Sequence, residues 1–250
     1  MKKIYVPMMR YGDKDFDEGF VGWGFNSYDD QIRDARSILK LVGRRKMSML
    51  DLACGLGTYH KVWLEAGHSV TGIDLSDTFI MMAKNTNPGA EYRVENYYNL
   101  DESDKYDCVT LIDTPLEDSD LCRIIFRALK PGGQFIYQTA NPDYQHVRGP
   151  VFKEHQSWRE EDDHTIILTR NRYNIEIENW EYEEWHVDVD KGEIVVQHSF
   201  NKGLSFTDLA EMLMGAGFCS VGYYDGDGRP YSPGHTGPRA YYGVAYKSEL

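Results

Sequence analysis

Apolar and polar positions along this chain follow two periods. Short apolar runs at 47–53, 69–75, 90–95, 106–112 and 134–140 read as strands. Helical spacing fills the gaps at 57–66, 77–86 and 118–129. This alternation predicts an α/β domain in which βαβ units build a parallel sheet. Upstream, Ile32, Ala35, Ile38, Leu39 and Val42 share one helical face, and Ser27 is placed to cap that helix. Before it, Tyr11, Phe16, Phe20, Trp23 and Phe25 stand among acids.

Residues 141–204 break the alternation. The β-rich runs 164–172, 175–190 and 193–200 lie too close together for crossover helices, and Asp190-Lys191-Gly192 reads as a hairpin turn. Ile175, Ile177, Trp185, Val187 and Val189 share one parity, whereas Trp180 and Tyr182 take the other, so both faces are covered or a bulge shifts the phase. The expectation is an antiparallel β insertion serving as a substrate lid; a homodimer contact or a thickened core is the alternative. Helical spacing returns at 204–217 through Leu209, Leu213 and Met214, with Gly217 near the end. The expected organisation is an N-terminal helical and aromatic cap (1–46), a ligand-binding core (47–140), the insertion (141–204) and a C-terminal helix with two closing strands (205–250).

Chemistry enters at 47–60, MSMLDLACGLGTYH. A strand ending in a glycine turn that opens a helix leaves backbone N–H groups for a ligand above the strand's end. Gly55 and Gly57 allow close approach. The next strand ends in Asp74, where a carboxylate suits the two hydroxyls of a ribose. A dinucleotide fingerprint needs a third glycine where His60 stands, and no G-x-x-x-x-G-K-[ST] occurs.

The remaining pattern resembles motif I of the class I S-adenosylmethionine (SAM) dependent methyltransferases, in its small-molecule branch (types 11 and 25). Asp51 is the acidic residue, Ala53 replaces the first glycine, and Gly55 and Gly57 are the other two, with Cys54 inside the turn. Asp74, followed by Leu75, matches the acidic residue that holds the ribose. Glu95-Asn96 sits where the family often has Asp-Ala beside the adenine, and Asp113 closes the strand facing the methionine part. Leu129-Lys130-Pro131-Gly132-Gly133 resembles the turn before the fifth strand, and 225–247 resembles the last two strands. The resemblance implies a Rossmann-like, seven-stranded, mostly parallel sheet with helices on both faces, plus the inserted lid. It also implies SAM as cofactor and S-adenosylhomocysteine as product, with the N-terminal segment, Tyr11 or Arg10, reaching the methionine carboxylate.

A formal charge of −13 and the lack of a basic stripe argue against a nucleic-acid partner. Asn141-Pro142-Asp143-Tyr144 departs from the N-P-P-Y motif of nucleobase methyltransferases in its third residue, and it follows the fifth strand rather than the fourth. Four scattered cysteines suit reduced thiols, with Cys108 and Cys219 expected in the core. Without a signal-peptide pattern or a spanning run, a cytoplasmic protein with no membrane partner is expected.

In-line attack on a sulfonium methyl needs alignment more than acid–base help, and a base matters for alcohol, phenol or ammonium acceptors. His146, His155, His164, His186, His198 and Asp113 could serve, none singled out, and no spacing suggests a metal. Trp158, Trp180 and Trp185 could cage an amine or simply fill the lid. The expected function is methyl transfer to a small-molecule acceptor. Its rivals are a SAM-cyclising enzyme of the same fold, a protein methyltransferase with an open groove, and a SAM-binding module without activity.

Overall fold

The computed structural model describes residues 2–7, 28–43, 45–116, 118–140, 154–160, 164–174, 179–202, 204–232 and 240–249. Tyr11, Arg10, Ser27, Ile175, Ile177, 141–144 and His146 lie outside them, as do the side chains of His155, Trp180 and His198. In chain order the strands are β1 (Lys2–Pro7), β2 (Ser48–Leu52), β3 (Ser69–Asp74), β4 (Glu91–Val94), β5 (Tyr106–Leu111) and β6 (Leu129–Ala140). They continue with β7 (Glu154–Glu160), β8 (Thr165–Asn174), β9 (Asn179–Asp188), β10 (Glu193–Lys202), β11 (Ser220–Tyr224) and β12 (Ala240–Tyr246). The helices are α1 (Tyr28–Val42), α2 (His60–Glu65), α3 (Asp77–Thr86), α4 (Ser119–Ala128) and α5 (Phe206–Ala216).

The chain divides into two compact units, 11–141 with 206–250, and 1–10 with 142–205. In the first, a seven-stranded sheet runs β11-β12-β6-β5-β2-β3-β4. β6, β5, β2, β3 and β4 run parallel to one another, and β12 and β11 close the β6 edge antiparallel. Strand order reverses between β2 and β5, so ligands belong at the carboxyl end of β2.

Side-chain alternation assigns the sheet faces. Ala35, Ile38 and Val42 of α1 bury against Met49, Cys108, Ile136 and Val244, with Trp63 of α2 in the same cluster. Trp63 Nε1–H donates to the Ala35 carbonyl at 3.2 Å, which satisfies the indole inside this core. On the other side Leu121 and Ile125 of α4 and Leu213 of α5 are buried, and Phe218 meets Phe126 edge-on with centroids 5.3 Å apart.

The second unit is a five-stranded sheet, β1-β10-β9-β8-β7, in which β1 joins β10 in parallel and every other pair is antiparallel. Asp188 pairs with Glu193 across the Asp190-Lys191-Gly192 turn, and Gly192 has φ +63. The N-terminal cap expected over 1–46 therefore opens with a strand, and β7 lengthens the sheet beyond the three expected runs.

Two other details differ from the sequence pattern. Leu129 to Gly133 lies within β6, and the pairing with β5 shifts register between Tyr106 and Cys108, so the expected turn is an irregularity inside a strand. Residues 225–232 connect β11 and β12 instead of forming a strand, because the Asp225 carboxylate accepts from the N–H groups of Asp227 and Arg229 and curls the backbone. Cys219, expected in the core, is exposed, since it precedes the edge strand β11.

Candidate functional site

β2 delivers the chain to the switch point, and the turn after it is left-handed three times, at Ala53 (φ 53), Gly55 (φ 52) and Gly57 (φ 64). A right-handed helix cannot include such residues, so α2 starts at His60 rather than at 57. Ala53 is the one of the three with a Cβ, and it therefore holds a conformation that favours glycine.

Asp74 ends β3 beside this turn. Its carboxylate accepts from the Gly55 N–H at 2.8 Å and from the Ser76 N–H at 2.9 Å, which ties the glycine loop to the neighbouring strand. Asp74 is 8% exposed. Leu75, which follows, is 47% exposed, and Val94 at the end of β4 is 53% exposed. Two apolar side chains left open at adjacent strand ends suit the faces of a planar base.

Glu95 continues from β4: its N–H donates to the Asp74 carbonyl at 2.8 Å, and its carboxylate pairs with Arg93 at 3.3 Å. Asn96 caps the short 3-10 turn at Tyr97–Asn99, accepting from the Tyr98 N–H at 2.9 Å. Asp113, after β5, is exposed and takes a left-handed φ of 56. Tyr59 Oη–H donates to its carboxylate at 2.7 Å, and its own N–H donates to Gln138 Oε1 at 3.2 Å. Burial and then the Asp113 charge push the Tyr59 hydroxyl well above the ordinary tyrosine range, so it stays protonated as donor.

Asp51 and Cys54 face the interior. Asp51 is 3% exposed and bonded to His60 and Thr110, and the Cys54 thiol packs with Ile80, Ala83 and Tyr92. Burial, followed by the Asp51 and Asp74 charges, raises that thiol far above the usual range, which leaves it an unreactive packing group. Asp51 and Cys54 thus shape the loop from below, whereas Gly55, Gly57, Asp74, Leu75, Glu95 and Asp113 gather at the carboxyl ends of the strands. Sequence reasoning missed Tyr59 and Gln138 and, beneath the loop, Asn87, Tyr92 and Thr110. His60 registered only as a missing glycine.

This geometry meets an independent finding. Residues 49–133 match the family model described as methyltransferase domain. This stretch is a methyltransferase domain, and its motif order and seven-stranded sheet are those of the class I SAM-dependent methyltransferases, whose cofactor is S-adenosylmethionine.

Among curated proteins it is similar to a malonyl-[acyl-carrier protein] O-methyltransferase of Buchnera aphidicola, 31% identical over 106 residues, covering 37% of this chain and 39% of the relative. A ubiquinone biosynthesis O-methyltransferase of Hydrogenovibrio crunogenus is 30% identical over 119 residues, covering 44% and 49%. The chain spans less than half the length of these two relatives. Among solved structures, the CcbJ methyltransferase of Streptomyces caelestis shares the fold at TM-score 0.67 and 18% identity, covering 87% of this chain and 90% of that one. SAM-bound CalS10, an amino pentose methyltransferase of Micromonospora echinaspora, gives TM-score 0.61 at 16% identity, with 94% and 97% covered.

Proposed function

We propose that this protein transfers the methyl group of SAM to a small-molecule acceptor by in-line displacement. One observation carries the reading: at the switch point, the Asp74 carboxylate and the Gly55 backbone N–H meet at 2.8 Å, beside two open apolar side chains. Bound SAM supplies an activated sulfonium methyl, so the chain's task is to bind, align and exclude water. Asp74 would accept from the ribose hydroxyls, Leu75 and Val94 flank the base, and Glu95 accepts from the adenine amino group. Asp113, held by Tyr59, would attract the ammonium of the methionine part.

The names of similar proteins support a small acceptor, since they include a ubiquinone biosynthesis O-methyltransferase and an amino pentose methyltransferase. Incubation with methyl-labelled SAM and a cell extract, then separation by size, tests the proposal. Label is expected in a small molecule other than SAM and its methylthio breakdown products; label confined to protein or nucleic acid, or SAM consumed without any methylated product, would sink it.

A further inference from the structure

Beneath the glycine loop lies a second set of polar groups. His60 is fully buried, with Nε2 2.9 Å from Asp51 Oδ2 and Nδ1 2.7 Å from Tyr92 Oη. Asp51 Oδ1 accepts from Thr110 Oγ1 at 2.6 Å. Asn87, at the end of α3 and 4% exposed, donates through Nδ2 to the Gly57 carbonyl at 3.0 Å. The bonds among Thr110, Asp51, His60 and Tyr92 therefore run from β5 through β2 and α2 to β4, and a separate bond ties the end of α3 to the loop at Gly57.

Their direction follows from donor chemistry. The Asp51 carboxylate offers only acceptors, so the His60 nitrogen that faces it, Nε2, carries a hydrogen and donates it. The Tyr92 hydroxyl faces the other ring nitrogen and gives its proton to Nδ1. A proton on Nδ1 would instead turn the tyrosine's proton out of the chain.

The neighbouring glycines fit around this arrangement. A Cβ on Gly57 would lie 2.5 Å from Tyr92 Oη and 3.0 Å from His60 Nδ1, and one on Gly72 would lie 2.8 Å from His60 Cε1. The loop thus closes directly onto the buried groups. We propose that Tyr92, His60 and Asp51 form a one-way hydrogen-bond relay beneath the cofactor loop, with His60, donating from Nε2 and accepting at Nδ1, as its positioning residue. The proposal rests on the reading of this loop as the SAM site.

Nitrogen NMR of the histidine ring in the intact protein at neutral pH tests the relay without any substitution. The expected spectrum shows Nδ1 unprotonated and Nε2 protonated for His60, and addition of S-adenosylhomocysteine shifts both signals. An imidazolium, the opposite tautomer, or signals indifferent to the bound compound would overturn it. Calorimetry on Tyr92→Phe, which removes the hydroxyl that begins the relay, adds a second readout. Its affinity for S-adenosylhomocysteine should fall about 5- to 30-fold while circular dichroism stays native, as loss of one or two kcal/mol implies. Unchanged affinity in that variant would count against the relay. Wild-type protein that binds neither SAM nor its product would instead refute the functional reading, and the tautomer measurement would still decide the relay.

Discussion

At the scale of single residues, the site is a set of backbone conformations as much as a set of side chains. Ala53 occupies a left-handed position (φ 53) in the first glycine slot of the motif. Ala53→Gly should therefore stabilise the protein by about 0.5–1 kcal/mol, relief of the Cβ strain exceeding the added freedom of the unfolded chain; a lowered denaturation midpoint would contradict this. Asp74→Ala should weaken SAM binding by about 1–3 kcal/mol, through loss of hydrogen bonds to a charged acceptor. Titration calorimetry giving an unchanged dissociation constant would remove Asp74 from the ribose role. The glycines and Asp74 were legible because a strand, a turn and the next strand fix them by local spacing. The His60–Tyr92 contact was not, because it joins residues 32 apart that meet only once β4 is laid beside β3.

The elements owe their limits to identifiable caps and clamps. Ser76 caps α3 by accepting from the Phe79 N–H at 3.0 Å, and Asp118 caps α4 by accepting from the Leu121 N–H at 2.8 Å. Ser76→Ala should cost about 1 kcal/mol in chemical denaturation; no loss would mean that the cap is redundant.

At the opposite end of the sheet Asp107 joins β2, β5 and β6. It accepts from Ser48 Oγ at 2.6 Å and the Ser48 N–H at 2.8 Å, and pairs with Lys130 at 3.0 Å. Burial works to raise its pKa, but the Ser48 and Lys130 bonds outweigh it and hold the carboxyl at about 2. Because this value is depressed on folding, the clamp stabilises fully above the ordinary aspartate range and is lost as pH falls towards 2. Melting temperature in wild type should thus drop over that window, with a shallower drop in Asp107→Asn; identical pH profiles would refute the clamp.

Helix 77–86 was legible residue for residue, because its apolar spacing is local. β7 was not: EHQSWRE lacks apolar alternation, and its strand character comes from pairing with β8. β1 escaped for a related reason, since its partner β10 lies nearly two hundred residues away.

For the whole molecule, the parallel sheet with its reversal between β2 and β5 explains why one crevice gathers so many separate residues. Alternating periods across 47–140 made that sheet legible, whereas the second unit's strand order depends on pairings that no local pattern encodes. No described helix is long and apolar enough to cross a membrane. The central claim, that the turn around Gly55 and Gly57 holds an adenosyl sulfonium compound, is tested most directly by titrating the full chain with SAM, S-adenosylhomocysteine and NAD while following hydrogen exchange. The account predicts that SAM and its product compete for a single site and slow exchange at 53–57 and 74–76, with no effect of NAD. Unchanged exchange at 53–57 and 74–76 with both adenosyl compounds, or protection of the same loop by NAD, would contradict it.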